Sequence, residues 1–430
     1  MSLPRREKRL VVLLDSARLG EVVQESTGRL HLEYDEEWIT SGPGIPLSLS
    51  MSLGARIHPH RAINPYMWGL LPDNEQILTR WAQRHQVSAN SAFALLGAVG
   101  EDCPGAVQFV SPDRVETLTQ AGDIQWLDEA EIGRRIAELR TDVGAAGRVR
   151  VDTGQFSLGG AQPKTAFLLD GARWGVPSGR IPTTHILKPP IPGLRGHIEN
   201  EHFCLRLFAA IGIPTAHSEV RSFAGERVIV VERYDRLRRG NIVRRVHQED
   251  MCQALAVMPS RKYENDGGPG IIAIMTRVLA NSSRADVDRR MFMHAIALNY
   301  VIAGTDAHGK NFSVLLGADG AVRFAPVYDV ASILPYAPDP VTLKMPLRIG
   351  SKYYLDDIIP RHWEQTAARC GYSGSEILET IQHFVTIVPD AAAEIAGECR
   401  EDGLDHPVLG DLVDLIAQRC RKLAPTYGTH

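Results

Sequence analysis

The chain has 430 residues, of which 44% are hydrophobic and 23% are charged, and its formal net charge is −4 at pH 7. This composition excludes a disordered or fibrous protein, and the charge excludes a surface that is basic throughout, so any nucleic-acid contact must come from a local patch. Six cysteines without a C-x-x-C pair argue against a disulfide framework or a zinc site. An uncharged stretch at Met291–Thr305 is too short to span a membrane. We therefore expect a cytoplasmic protein of two or three domains with no membrane segment.

The first hundred residues predict strands followed by helices. Runs with alternating or β-branched residues predict strands at Leu10–Leu14, Gly20–Gln24, Gly28–Tyr34 and Pro46–Met51. Helical spacing of apolar residues follows at Asn74–His85 and Ala89–Ala98. A turn and a strand then end this unit, so we expect an α/β domain over residues 1–110.

A β-rich unit is expected over residues 111–235. It begins with a helix near Leu127–Leu139 and a long glycine-rich stretch, after which the order is strand, strand, helix, strand, strand. These five elements are expected at Thr165–Leu169, Thr183–Lys188, Ile198–Ile211, Ala216–Ser222 and Arg227–Glu232. Residues 236–430 are expected to be mainly helical. The helices are predicted at His247–Val257, Ile271–Leu279, Val287–Ala303 and from Arg361 onward.

The sequence GTDAHGKNF, followed by APVYDVAS, combines residues of the kind that phosphoryl transfer requires. Asp306 and Asn311 are spaced D-x-x-x-x-N after an apolar helix, and Asp329 follows a short predicted hairpin. Phosphoryl transfer needs a carboxylate at the acceptor hydroxyl and oxygen ligands that hold Mg²⁺ on the phosphates. Asp and Asn are also common in turns for local hydrogen-bonding reasons, which is the alternative interpretation of each residue taken alone.

The segment SLGGAQPKT, at Ser157–Thr165, is a candidate phosphate loop. It has two adjacent glycines, and Lys164 precedes a predicted strand, so its backbone N–H groups could surround phosphate oxygens. Pro163 removes one of these donors. The segment matches neither common phosphate-loop motif, and a surface turn is the alternative.

Lys188 ends the strand THILK and is a candidate for a second phosphate contact. It is either a solvated edge residue or the partner of Glu201, which lies close to the apolar stripe of the following helix. Glu199 is expected to point away from that stripe. A Lys–Glu pair of this kind positions the ATP phosphates in protein kinases.

Three other segments have a functional and a structural interpretation. Backbone groups of Glu232–Tyr234, after the strand VIVV, could contact an adenine edge, or the strand could end in a salt-bridged turn. Arg236–Arg245 holds five arginines in ten residues and could contact nucleic-acid phosphates or form a solvated hairpin tip. The glycine-rich segment Lys262–Ile271 could contact substrate or nucleotide, but it is more simply interpreted as the turn that opens a helix.

The motifs occur in a fixed order: SLGGAQPKT, THILKPP, ENE, VVERYDR, NDGGPG, GTDAHGKNF and VYDVAS. In this order they resemble the HipA family of serine/threonine kinase toxins, and the resemblance covers nearly the whole chain. It implies an α+β architecture, namely a divergent two-lobed protein-kinase-like fold with an added N-terminal α/β subdomain.

Carried over to this sequence, the resemblance implies a role for each site residue. Asp306 would be the catalytic base, and Asn311 and Asp329 the Mg²⁺ ligands. Lys188 would bind phosphate with Glu201 as its partner. Ser157 matches the serine that the family autophosphorylates, and Pro163 stands where some members have an acidic residue. The other ATP-binding residues implied are Gly159, Gly160, Ala161, Gln162, Pro163, Lys164, Glu232, Arg233, Tyr234, His308 and Tyr328.

The expected function is that of an ATP- and Mg²⁺-dependent protein serine/threonine kinase that acts as the toxin of a toxin–antitoxin pair. The resemblance implies a helix-turn-helix antitoxin of the HipB type, operator DNA bound through the complex, and a protein substrate such as an aminoacyl-tRNA synthetase. A small-molecule or lipid kinase with the same residues is one alternative. A catalytically silent DNA-binding co-repressor that uses Arg236–Arg245 is another.

Overall fold

The computed structural model describes residues 7–119, 122–141, 156–240, 242–337 and 342–427. The α-helices are α1 (Glu36–Ser41), α2 (His60–Gly69), α3 (Glu75–His85), α4 (Ala92–Val99), α5 (Val115–Thr119), α6 (Glu129–Thr141), α7 (His197–Ala210), α8 (Met251–Ala254), α9 (Ile271–Ala273), α10 (Ala285–Ile302), α11 (Pro360–Cys370), α12 (Gly374–Glu401) and α13 (Pro407–Tyr427).

The strands belong to five sheets. They are β1 (Lys8–Leu14), β2 (Ala17–Gln24), β3 (Leu30–Tyr34), β4 (Ile57–His58), β5 (Val107–Val110), β6 (Ile124–Leu127), β7 (Thr165–Asp170), β8 (Arg173–Pro177), β9 (His185–Lys188), β10 (Ser218–Phe223), β11 (Glu226–Glu232), β12 (Arg236–Arg239), β13 (Ile242–Arg245), β14 (His247–Asp250), β15 (Ser313–Leu316), β16 (Val322–Phe324), β17 (Lys344–Ile349) and β18 (Lys352–Tyr354).

The N-terminal sheet has the order β4-β3-β2-β1-β5 and is antiparallel throughout. A two-residue turn, Asp15–Ser16, joins β1 to β2, and both of its residues have positive φ, which matches the twist of paired strands. Alternate residues of β1 enter two apolar clusters: Leu10, Val12 and Leu14 pack in one, and Val11 and Leu13 in the other. The apolar run at Leu10–Leu14 is therefore a strand that is buried on both faces.

The second sheet has the order β10-β11-β9-β7-β8-β6. Helix α6 and the inward residues of this sheet share one apolar cluster, which includes Ile136, Phe167 and Trp174. Strand β9 lies between β11 and β7, so Lys188 at its end is buried in the interior of the sheet. The interpretation of Lys188 as a solvated edge residue is therefore wrong.

The C-terminal helices build a second core around α10. Tyr300 of α10 packs edge-to-face against Trp363 of α11, and the Trp363 indole donates to the hydroxyl of Tyr427 in α13. Arg419 of α13 is buried, and its guanidinium donates to the main-chain carbonyls of Tyr300 and Val301. These carbonyls belong to the last turn of α10, where a helix has fewer N–H donors than carbonyl acceptors.

The chain separates into two compact units. The first comprises Met1–Pro189, Ser222–Ser260 and Val314–Val322, and the second comprises Pro190–Arg221, Arg261–Ser313 and Arg323–His430. The boundaries predicted at residues 110 and 235 stay predictions. In the described part of the chain, no helix is both long enough and apolar enough to cross a bilayer.

Two predicted elements are wrong in part. Pro46–Met51 is not a strand beyond a bridge between Ser48 and Met51, because its N–H groups bond to side chains elsewhere: the Leu47 N–H donates to the Tyr34 hydroxyl, and the Leu49 N–H donates to Glu249 Oε1. His247–Val257 is a strand, β14, followed by the four-residue helix α8. Asp250 and Gln253 form a capping box that starts the helix at Met251.

Candidate active site

The segment that carries Asp306 begins where α10 ends. Ala303 adopts the left-handed conformation, with φ of 55°, and its N–H donates to carbonyls of the last helical turn. A Cβ at the next residue, Gly304, would lie 2.1 Å from the side-chain oxygen of Asn299, so a larger residue would displace this buried side chain. The chain leaves the helix here and enters the candidate catalytic loop, residues 304–311.

Asp306 and Asn311 are held in this loop by short-range hydrogen bonds. The Asn311 amide Nδ2 donates to the Asp306 carbonyl at 2.7 Å, and the His308 N–H donates to the same carbonyl at 2.8 Å. Asn311 is buried, whereas the Asp306 side chain is 70% exposed. The exposed carboxylate is thus accessible to an acceptor group, while the amide that anchors the loop is protected from solvent.

Asp329 lies in a second loop, and its φ of 58° is unusual for a residue other than glycine. The preceding Tyr328 ties this loop to the first one. Its hydroxyl donates to the Lys310 carbonyl at 2.7 Å and lies 2.6 Å from the Ser313 hydroxyl. A strained Asp that is held by its neighbours is a frequent feature of ligand-binding sites.

Helix α7 is joined to both loops through Asn200. The Asn200 side chain donates to the Ser332 carbonyl at 2.7 Å and accepts from the Ser332 N–H at 3.0 Å. The Ser332 hydroxyl donates to the Ile302 carbonyl at 2.6 Å, just before the catalytic loop. Asn200 is fully buried. Sequence reasoning missed it, although it lies between the two glutamates that were singled out.

Both glutamates of that motif are buried, because every residue of α7 from Ile198 to Leu205 is buried. The expectation that Glu199 points away from the core is therefore wrong: helical spacing assumes one buried face, whereas this part of α7 is enclosed on all sides. The pairing of Glu201 with Lys188 stays a prediction.

His308 lies inside the catalytic loop and is buried. Burial, together with the nearby positive charge of Lys262, lowers the pKa of His308 to about 4. The Tyr263 ring packs edge-to-face against the His308 ring, with centroids 5.0 Å apart. His308 is therefore neutral at physiological pH, and its role in ATP binding stays a prediction.

The candidate phosphate loop, Ser157–Lys164, lies in the first unit and folds back on itself. Lys164 Nζ donates to the Gly159 carbonyl at 2.6 Å, and Gln162 donates to the Pro189 carbonyl at 3.1 Å. Gly160 has a φ of 101°, and a Cβ there would lie 2.5 Å from Lys164 Nζ. Ala161 and Pro163 complete the turn, and β7 begins directly after it. Most of the glycine-rich stretch before Phe156 lies outside the described residues.

This loop is anchored to neighbouring segments of the first unit. The Ser157 hydroxyl donates to the Leu70 carbonyl at 2.8 Å, and its N–H donates to the Asp102 carbonyl at 2.9 Å. The Asp73 N–H donates to the Gly160 carbonyl at 3.1 Å. Ser157 is completely buried, so the start of this segment is not a surface turn.

Arg233 lies in a buried ionic cluster at the end of β11. Its pairing with Asp235 agrees with the salt-bridged turn that was one interpretation of this segment, whereas the distant partner Asp102 was not predicted. Its guanidinium contacts both Asp102 and Asp235, and Asp102 also contacts Arg236 and Arg245. Burial alone would raise the pKa of Asp102, but the three arginines hold it well below its usual range. The Arg233 side chain is committed to this cluster.

Glu232 and Tyr234 flank Arg233 at the end of β11. The Arg233 N–H donates to the Thr184 carbonyl. An adenine contact would therefore have to come from the backbone groups of Glu232 and Tyr234. Glu232 is exposed, and Tyr234 is half-buried with its hydroxyl bonded to Gln248.

The arginine-rich segment Arg236–Arg245 forms the hairpin β12–β13. Arg236 and Arg245 pair across the two strands and are buried in the ionic cluster. Of the exposed arginines, Arg238 pairs with Asp170 and Arg244 with Asp15. The hairpin interpretation is confirmed, and the basic surface available to nucleic acid is smaller than the sequence suggests.

The predicted site residues fall into two sets. Those of the second unit are Glu201, Asp306, His308, Asn311, Tyr328 and Asp329, and those of the first unit are residues 157–164, Lys188 and residues 232–234. The structure brings most of the second set together in one hydrogen-bonded pair of loops. That both sets serve one nucleotide stays a prediction.

The donors available for a metal ion suit Mg²⁺ bound to phosphates. Among the described residues there is no group of three or more His, Cys, Asp or Glu side chains that could hold a metal by themselves. Mg²⁺ in nucleotide enzymes is commonly held by one or two protein oxygens, with substrate phosphates and water completing the shell. Asp329 has a carboxylate and Asn311 an amide oxygen of this kind, and their role as Mg²⁺ ligands stays a prediction.

Comparison with known proteins identifies the family. The model described as the HipA-like C-terminal domain matches residues 156–392, and the model described as the HipA N-terminal domain matches residues 10–110. The chain belongs to the HipA family. Both candidate loops and the candidate phosphate loop lie within the HipA-like C-terminal match.

Two curated relatives of this HipA-family chain are similar over most of their length. One is Y4mE of Sinorhizobium fredii, which has a provisional kinase name; it is 35% identical over 96% of this chain and 97% of its own length. The other is the serine/threonine-protein kinase toxin HipA of Shewanella oneidensis, 26% identical over 89% of this chain and 88% of its own.

Comparison with a solved HipA structure confirms the α+β fold that was expected for this chain. HipA of the Shewanella oneidensis toxin–antitoxin system, in complex with HipB and operator DNA, superposes with a TM-score of 0.83. The superposition covers 97% of this chain and 98% of the other at 21% identity. The two chains thus share one fold despite their low sequence identity.

Proposed function

We propose that this chain is an ATP- and Mg²⁺-dependent protein serine/threonine kinase that acts as the toxin of a toxin–antitoxin pair. The observation that carries the proposal is the pair of linked loops that hold Asp306, Asn311 and Asp329. The Asn311 amide donates to the Asp306 carbonyl, and Tyr328, the neighbour of Asp329, donates to the Lys310 carbonyl. Membership of a family whose relatives are named as kinases supports it.

Each side chain has a chemical role in this proposal. Asp306 orients the acceptor hydroxyl and takes its proton as phosphoryl transfer proceeds. Asn311 and Asp329 hold Mg²⁺, which when bound neutralises charge on the phosphates. Lys188 binds phosphate, and the backbone around Arg233 contacts adenine.

The loop Gly159–Lys164 surrounds the phosphates. The positive φ of Gly160 and the internal bond between Lys164 and Gly159 support this role, since they hold the backbone in a closed turn. Ser157, at the start of the loop, is the proposed site of autophosphorylation.

The exposure of Asp306 favours a macromolecular acceptor over a small metabolite. Its side chain is 70% exposed, so a serine or threonine on another protein could reach it. We propose a translation component such as an aminoacyl-tRNA synthetase as the substrate, a HipB-like antitoxin as the partner, and operator DNA as the ligand of the complex. The Shewanella oneidensis relative forms a complex of the latter kind.

The direct test is transfer of radiolabelled γ-phosphate from ATP to the chain itself and to a panel of acceptors. We expect label on serine of the chain and of at least one protein acceptor, dependent on Mg²⁺. Label found only on a small-molecule or lipid acceptor would contradict the protein-kinase proposal, and no label at all would contradict kinase activity.

A further inference from the structure

The segment Arg261–Gly270, here called the KYE loop, packs against the catalytic loop in the second unit. The Gly309 N–H donates to the Lys262 carbonyl at 3.1 Å. The Tyr263 hydroxyl donates to Asp306 Oδ1 at 2.9 Å, and its ring packs against His308. From sequence this segment is interpreted as a simple turn, yet it places a side chain directly on the proposed catalytic base.

The glycines of the KYE loop explain why Tyr263 is held in one place. A Cβ at Gly268 would lie 2.1 Å from the Arg261 carbonyl and 2.7 Å from the Tyr263 carbonyl. The Gly268 N–H donates to that Tyr263 carbonyl, and Gly267 adopts a positive φ of 90°. The backbone therefore closes tightly around Tyr263 in a way that only glycine permits.

The far side of the loop is equally constrained. Glu264 accepts a hydrogen bond from the Arg348 N–H at 2.6 Å, and a Cβ at Gly270 would lie 2.4 Å from the Glu264 carboxylate. The Tyr263 ring is also close to Lys262 Nζ, 5.6 Å from the ring centroid. Tyr263 thus has a constrained backbone and a half-buried ring that packs against His308 and lies near Lys262.

We infer that Tyr263 is a positioning residue that fixes the orientation of the Asp306 carboxylate for catalysis. The inference rests on the proposed role of Asp306 as the base. An aspartate that is 70% exposed would otherwise sample several rotamers, and a base works only when it lies within hydrogen-bond reach of the acceptor hydroxyl. A phenol keeps its proton at neutral pH, so it donates to one carboxylate oxygen without competing for the substrate proton.

The test compares Tyr263→Phe with the wild type in the phosphate-transfer assay. The substitution keeps the ring and its packing and removes only the hydroxyl. We expect kcat to fall on the order of tenfold, as for loss of a hydrogen bond to a partly solvated charge, while KM for ATP stays within twofold and the melting temperature does not change. Tyr372→Phe is the matched control, since Tyr372 makes the same kind of bond to Glu376 far along the chain.

A second variant separates positioning from loss of the hydroxyl. Gly268→Ala keeps Tyr263 but displaces its backbone, so we expect a similar fall in kcat. If both changes act through Tyr263, the kcat of the double variant should be no lower than that of the less active single variant. Additive effects of the two substitutions on the logarithm of kcat would overturn the inference.

The remaining outcomes are distinct. A Tyr263→Phe protein with wild-type or higher kcat, or with raised KM and unchanged kcat, would overturn the positioning role. If instead Asp306→Asn retained full activity, the proposed role of Asp306 as the base would be wrong. This outcome is independent of the result for Tyr263→Phe, so the two failures can be told apart.

Discussion

The burial of Ser157 predicts how a negative charge at this position affects nucleotide binding. Its hydroxyl donates to the Leu70 carbonyl and is completely buried. In Ser157→Asp, a carboxylate would take the place of this donor, so two acceptors would face each other without solvent. Phosphorylation of Ser157 would add about −1.5 to −2 charges at the same point.

The magnitude follows from the two components. Loss of the hydrogen bond leaves the Leu70 carbonyl unsatisfied and costs about 1–3 kcal/mol, or about 5- to 150-fold. A buried charge without a partner costs about 3–5 kcal/mol. A cost of at least about 3 kcal/mol lowers the ratio of closed to open loop by at least about 100-fold. The loop should therefore open, which exposes the carboxylate to solvent.

The measurement is calorimetric titration of ATP with Mg²⁺ into each variant. We expect Ser157→Asp to bind ATP at least about 100-fold more weakly than the wild type, and Ser157→Ala to lose much less. Ser375→Asp is the matched control, since Ser375 is exposed near the start of α12 and its substitution should leave binding unchanged. If Ser157→Asp binds ATP within threefold of the wild type, the reasoning about this loop is refuted.

Three further substitutions test other parts of the structure. Asp306→Asn should lower phosphate transfer by about 10²- to 10⁴-fold with ATP affinity within threefold, and transfer at the wild-type rate would contradict its role as the base. Asp329→Ala should weaken ATP binding far more with Mg²⁺ than with EDTA, whereas equal weakening would leave it no metal-binding role. Asp102→Asn should lower the free energy of unfolding by about 3–5 kcal/mol in urea titrations, against little change for the exposed control Asp170→Asn; a loss below about 1 kcal/mol would show that the cluster is not stabilising. Because the pKa of Asp102 is depressed in the folded state, the wild type should lose this contribution only as the pH falls below about 4.

Elements with a strong local pattern could be predicted from the sequence. The run at Leu10–Leu14 and the apolar spacing of Val287–Ala303 correspond to β1 and α10 within a few residues. The helix at Asn74–His85 has Asn74 as its cap, with the side chain accepting from the N–H groups of the first turn. In these cases the residues that define the element also provide its stability.

Contacts between distant segments could not be predicted in this way. Arg233 meets Asp102 across 131 positions, and Ser157 meets Leu70 across 87. Periodicity shows which face of an element is apolar, but it does not show which polar group will lie opposite a buried one. Glu199 illustrates this limit, since α7 is enclosed more completely than its pattern indicates.

The bond from Arg419 to the end of α10 has a consequence for the order in which the chain becomes functional. The residues that enter the catalytic loop are synthesised more than a hundred positions before the arginine that satisfies the carbonyls of Tyr300 and Val301. Until α13 is made and packed, the last turn of α10 lacks the hydrogen bonds from Arg419. The helix end from which the turn at Ala303 and Gly304 starts is then less firmly held. We therefore expect that a nascent chain which already contains Asp306 has not yet formed the catalytic loop. We also expect that loss of the last helix by proteolysis would abolish the proposed kinase activity while leaving every proposed catalytic residue in place.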